Sequence, residues 1–143
     1  MEPDTPTSQD LAVLVLAHER GDRSDRFELP NAAHRTFEKL NVHLSVRLGS
    51  GGYQALLRRA VALAAADHPD AAGLHVNNQG QIEGFEAIEH LASITDTAVV
   101  VLARLIDLLD TFIGRELTLR VLHAAWPKSV GVDSSGGSGE ING

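Results

Sequence analysis

With no cysteine in the chain, the first residues to weigh for chemistry are its seven histidines and nineteen carboxylates. Zinc and di-iron sites need histidines and carboxylates at helical spacing. There is no HxxxH or HExxH here, and no pair of ExxH motifs. No metal or cofactor is therefore expected. Glu86 and His90 stand four residues apart, as do His34 and Glu38, and such pairs are ordinary partners on a wet helix face. His34, His43, His90 and His123 each fall on an expected helix. Phosphotransfer histidines are usually followed by a lysine and a small residue, a pattern missing from His34-Arg35-Thr36-Phe37 and His90-Leu91-Ala92-Ser93. No GxSxG elbow presents a nucleophilic serine. Gly49-Ser50-Gly51-Gly52 precedes a helix as a phosphate cradle would, but it lacks the lysine and the preceding strand, and reads as a helix–helix turn.

One carboxylate stands apart. Asp107 has Arg104 one turn back and reads as a surface ion pair. Asp110 lies off the polar stripe of its helix. A partly buried acid of this kind marks a site or bonds a neighbouring backbone group or arginine, and the second reading is the simpler. If there is a ligand pocket, Asp110, His90 and His123 are the residues expected to line it.

The element that must position these residues is the apolar stretch from Thr95 to Trp126. On a wheel of 100° per residue, Thr97, Val100, Arg104, Asp107, Thr111 and Arg115 fall within roughly 80° of one another. Nearly everything else before Gly114 is apolar, so this helix is expected to be buried over most of its circumference. Beyond Gly114 the polar wedge moves by more than about 100°, to Glu116, Arg120 and His123. One straight helix cannot serve both phases, so a break or kink is expected at Gly114.

Residues 1–9 hold two prolines and no periodicity, and are expected to be disordered. Leu11–Glu19 is an apolar run readable as helix or buried strand; Asp10 as a cap and the Ala/Leu content favour helix. The charged stretch from Gly21 to Pro30 reads as a loop. Asn31 then caps a helix over 32–48, whose stripe of Ala33, Phe37, Leu40, Leu44 and Leu48 faces inward. Val42 and Val46 lie on its far side and point to a second contact. The next helix, 52–67, turns Tyr53, Leu56, Leu57, Ala60, Leu63 and Ala64 inward, giving a helical hairpin. Leu74, Val76 and Ile82 flank Asn77–Gly80 as a small β-hairpin. A short helix over 86–92 and a break at 93–95 complete the expected elements. The tail 128–143 is Gly/Ser-rich and reads as flexible.

A formal charge of −7 provides no basic face for nucleic acid and disfavours anionic lipid. The acidic N-terminus does not read as a signal peptide, and Arg104 and Asp107 interrupt the longest apolar run short of a membrane span. The sequence thus specifies a mainly α protein, a helical bundle with a β-hairpin insertion, in a single domain over 10–127.

Phe112-Ile113-Gly114-Arg115-Glu116-Leu117-Thr118-Leu119-Arg120, closing on Ala125-Trp126-Pro127, carries a resemblance. So does Arg47-Leu48-Gly49 leading into Tyr53-Gln54-Ala55-Leu56-Leu57-Arg58-Arg59-Ala60. Together these blocks, about half the chain, resemble a family of small bacterial helical proteins whose tails read much like FIGxxLTLRLLxxxWP. The resemblance implies a bacterial, intracellular, helical protein and carries no catalytic residues. The functional expectation is a non-enzymatic interaction or regulatory module, cytoplasmic and self-associating as a homodimer, with a protein partner. Its motive is the nearly all-apolar circumference of 98–113, which a second chain would help to cover. A small enzyme or ligand-binding bundle using Asp110, His90 and His123 is the alternative.

Overall fold

The computed structural model describes residues 7–21 and 28–128, and four helices and one small hairpin account for nearly all of them. Helix α1 (Ser8–Arg20) starts at Thr7, whose hydroxyl accepts from the Asp10 amide while the Asp10 carboxylate accepts from the Thr7 amide, a complete capping box. Its buried face is Ser8, Leu11, Ala12, Val15 and Leu16, at helical spacing. The sequence reading placed the cap at Asp10 and disorder through residue 9. The Thr7–Asp10 box shows why the helix begins earlier.

Helix α2 (Glu28–Asp67) would be about 60 Å long if straight. It is broken at Gly49, which holds φ 79° and ψ 157°, into arms 28–48 and 50–67. The Tyr53 hydroxyl donates to the Phe37 carbonyl at 3.1 Å. Sixteen residues of continuous helix would separate these groups by about 24 Å, so the arms fold sharply back on each other. The stripe Ala33, Phe37, Leu40 and Leu44 is buried, and so are Tyr53, Leu56, Leu57, Ala60 and Ala64. Val42 and Val46 are exposed, on the far side as expected. The first arm begins at Glu28, so Asn31 lies within the helix rather than capping it. Most of the expected charged loop, residues 22–27, lies outside the described residues, as do residues 1–6 and the tail from 129 onward.

After a 3-10 turn (Pro69–Gly73), strands β1 (His75–Val76) and β2 (Ile82–Glu83) pair antiparallel, with His75 opposite Glu83 and Val76 opposite Ile82. The Asn77 carboxamide oxygen accepts from the Gln79 and Gln81 amides and closes the turn. Ile82 and Phe85 are buried, which anchors this two-stranded ribbon on the helices.

Helix α3 (Leu91–Ile113) packs against both α1 and α2. It runs unbroken through 93–95, where a break was expected. The expected helix over 86–92 is a 3-10 turn at Phe85–Ala87 followed by the start of α3. Glu86 and His90 therefore do not share a helix face. From Thr97 to Leu109 the one exposed residue is Asp107. Thr97, placed on the wet stripe by the wheel, is fully buried. Over that stretch a single chain thus covers its own central helix, while Thr111 and Phe112 beyond it are exposed.

Gly114, at φ 88° and ψ 155°, separates α3 from α4 (Arg115–Ala125). The Gly114 amide still donates to the Asp110 carbonyl, and the Thr118 amide to the Gly114 carbonyl, so one residue makes the whole joint. Gly49 and Gly114 adopt nearly the same conformation, one that essentially only glycine occupies. A Cβ at either would meet nothing within 4 Å, so the penalty for a side chain there is one of backbone strain alone. Gly114→Ala is expected to lower stability by about 1–3 kcal/mol in urea denaturation, with the slope of the transition unchanged.

Candidate functional site

The three residues singled out in the sequence do not converge. His90 is exposed at the N-cap position of α3, and its side chain makes no capping bond. Asp110 lies near the other end of the same helix, twenty residues or about 30 Å away. His123 is half-buried in the last turn of α4. Asp110 Oδ2 pairs with Arg115 Nη2 at 2.7 Å across the Gly114 joint. Its side chain is 20% exposed, and Oδ1 is buried with no hydrogen-bond partner among the described residues. The off-stripe acid thus belongs to the α3–α4 corner, where it meets the first arginine beyond the break.

Polar side chains do gather in three other places. The most enclosed is centred on Glu19, near the C-terminus of α1, with a side chain only 6% exposed. Trp126 Nε1–H donates to Glu19 Oε2 at 2.8 Å, Arg35 Nε lies 3.3 Å from Oε1, and Lys39 pairs with Oε2. The Arg35 Nη2 group also donates to the Glu19 carbonyl at 2.8 Å. The Lys39 ammonium sits 5.8 Å from the centroid of the fully buried Trp126 ring. Burial alone would raise the Glu19 pKa. Hydrogen bonds from Lys39 and Trp126, the Lys39 charge and the Arg35 bond outweigh it and hold the carboxyl below its ordinary value. This cluster clamps α1 to the first arm of α2 and to the end of α4.

A second gathering lies where α1 begins. Ser8 Oγ donates to Asp107 Oδ1 at 2.5 Å, and Arg104 lies 3.7 Å from Asp107 and 2.5 Å from Asp67. His68 lines the same cavity of about 320 Å³, its Nε2 buried without a partner among the described residues. The serine donates directly to a carboxylate with no imidazole between them, unlike the base-activated arrangement of hydrolases. Arg104 spans both carboxylates, so each has a cationic partner within the chain. The arrangement latches the first turn of α1 to α3 and to the end of α2.

The third gathering is a groove of about 630 Å³ between the first arm of α2 and the hairpin. His34 pairs with Glu86 at 2.9 Å rather than with Glu38, and His75 pairs with Glu83 at 2.8 Å. The bond to His34 lowers the Glu86 pKa, and those to Asn77 and then His75 lower that of Glu83. Among the described residues, no group of three or more His, Asp or Glu side chains is placed to hold a metal ion.

A fourth feature differs in kind. An apolar groove of about 290 Å³ runs between α1 and the first half of α3, walled by Val13, Leu16, Ala17, Ile94, Ala98 and Val99. Val13 and its neighbour Leu14 are 48% and 46% exposed. Arg20 and Asp96 also line it, and the buried Arg20 Nε finds no hydrogen-bond partner among the described residues. The polar clusters are largely satisfied within the chain, whereas this face is not.

No family model, curated protein or solved structure matches the chain at a significant level. No helix among the described residues is long and apolar enough to cross a membrane.

The Glu19 clamp has a pH signature. Its carboxyl is held below the ordinary value of 4.5, so its contribution is present above that value and is lost as pH falls through the folded pKa. Glu19→Gln is expected to cost about 2 kcal/mol at pH 7, and the gap to the wild type should close as thermal melts are taken from pH 7 to pH 3.

Proposed function

We propose that this chain is a non-enzymatic interaction module that self-associates and works by presenting a helix face to protein. One observation carries the reading. α1 exposes Val13 and Leu14 beside an apolar groove, while the central helix α3 is covered by its own chain from Thr97 to Leu109. Water-exposed apolar side chains next to an apolar recess favour a protein partner more than a substrate, since burial there is driven by area and needs no reacting group. The apolar surface that motivates association is therefore assigned to α1 rather than to the covered 97–109 stretch of α3. Internal pairing in the three polar clusters supports a module without catalysis. A bacterial cytoplasm is the setting this reading assigns, supported by the lack of cysteine and by the C-terminal resemblance.

Light scattering across a wide concentration range tests the reading. The expected mass is that of two chains at high concentration. Val13→Asp is expected to return it to one chain while leaving the thermal transition close to that of the wild type, since surface substitutions typically change stability by less than about 0.5 kcal/mol. A one-chain mass for the wild type at every concentration would remove self-association.

A further inference from the structure

We infer that α1 packs antiparallel on α1 of a second copy, about a two-fold axis through Leu14. The inference rests on the self-association reading and adds the partner surface and its register.

The outer face of α1 is ordered along its length. Gln9, Asp10, Val13, Leu14, Ala17 and His18 are exposed, and the residues between them are buried in the chain's own core. The middle of that face is apolar. Its acid, Asp10, lies in the first turn, and its exposed basic residue, His18, lies in the last. A face with an apolar centre, a carboxylate at one end and an imidazole at the other complements itself in one orientation only. Parallel pairing would set Asp10 on Asp10 and His18 on His18. Antiparallel pairing sets the acidic end on the basic end and opposes the two helix dipoles.

The register follows from the spacing. Asp10 and His18 are each four residues from Leu14, about 6 Å along the axis in either direction. A two-fold axis through Leu14 therefore brings Asp10 opposite His18 of the second copy, and the same contact recurs on the other side, as an isologous interface requires. Val13 supplies the ridge, and the recess walled by Leu16, Ala17, Ile94 and Val99 supplies the groove, so each copy offers the other both. The remaining exposed apolar residues lack this pattern. Val42 and Val46 on α2 have Arg35, Glu38 and Arg47 exposed around them in no sorted order, and Phe112 stands alone near the end of α3.

The absence of cysteine makes the test clean, because an introduced thiol is the only one. At the usual separation of packed helices, about 8–10 Å, inner-face Cα atoms on the axis come within disulfide range. Leu14→Cys, at a half-exposed position, is expected to give a two-chain band on a non-reducing gel after mild oxidation by oxidised glutathione. Reductant should reverse it, and Val46→Cys should remain a single chain. If the wild type has a two-chain mass but Leu14→Cys does not cross-link, or Val46→Cys does so in its place, the α1 register is overturned and self-association stands. If the wild type has a one-chain mass throughout, both fail together.

Discussion

The burial of α3 is the constraint on which the other elements depend. Between Thr97 and Leu109 this helix has water-facing room for little besides Asp107, so other helices must lie against it on almost every side. A chain of this length can supply that cover only if its helices reverse direction without long loops. Gly49 and Gly114 make that possible. Each ends one helix and begins the next within a single residue, at nearly the same positive φ. The first folds the arms of α2 together, as the Tyr53–Phe37 bond shows, and the second gives α4 its own direction from the end of α3. With α1 latched at its start by Ser8 and clamped at its end by Glu19, the cover is complete.

That completeness shapes the functional reading. Charges that might have served a reaction are instead paired between elements: Asp110 with Arg115, Asp67 with Arg104, Glu86 with His34, Glu19 with Lys39 and Arg35. Each pair joins or braces helices and leaves little polar capacity unused. Among the described residues, the exposed apolar pair that stands beside an apolar groove lies on α1. This helix contributes one face to the core and holds the other out to solvent.

Much of the fold is legible in the sequence because helical periodicity is a local signal. The stripe Ala33–Phe37–Leu40–Leu44, the inward face of 53–64, the hairpin around Asn77–Gly80 and the change of phase at Gly114 all follow from residues within a few turns of one another. The site was far less legible. Glu19 meets Trp126 from 107 positions away and Ser8 meets Asp107 from 99, and no periodicity reports such pairings. Asp110 was recognised as out of place, but its partner sits beyond the break, where the wheel of one helix says nothing about the next. His34 chose Glu86 over its helical neighbour Glu38 because the 3-10 turn at Phe85–Ala87 carries that carboxylate over the α2 face. Thr97 is buried because α3 is covered even on the side where the wheel placed its polar wedge. Val13 and Leu14 on α1 and Phe112 near the end of α3 are all exposed, since sequence periodicity shows which faces are apolar but not which neighbours cover them.

The claim that α1 is the face this protein shares with another copy is most directly tested by amide hydrogen exchange at low and high protein concentration. The account requires protection to rise with concentration across residues 9–20 and along the facing half of α3 near Ile94 and Val99, while residues 42–46 stay unchanged. Protection that is independent of concentration throughout α1, or that rises at 42–46 instead, would contradict it.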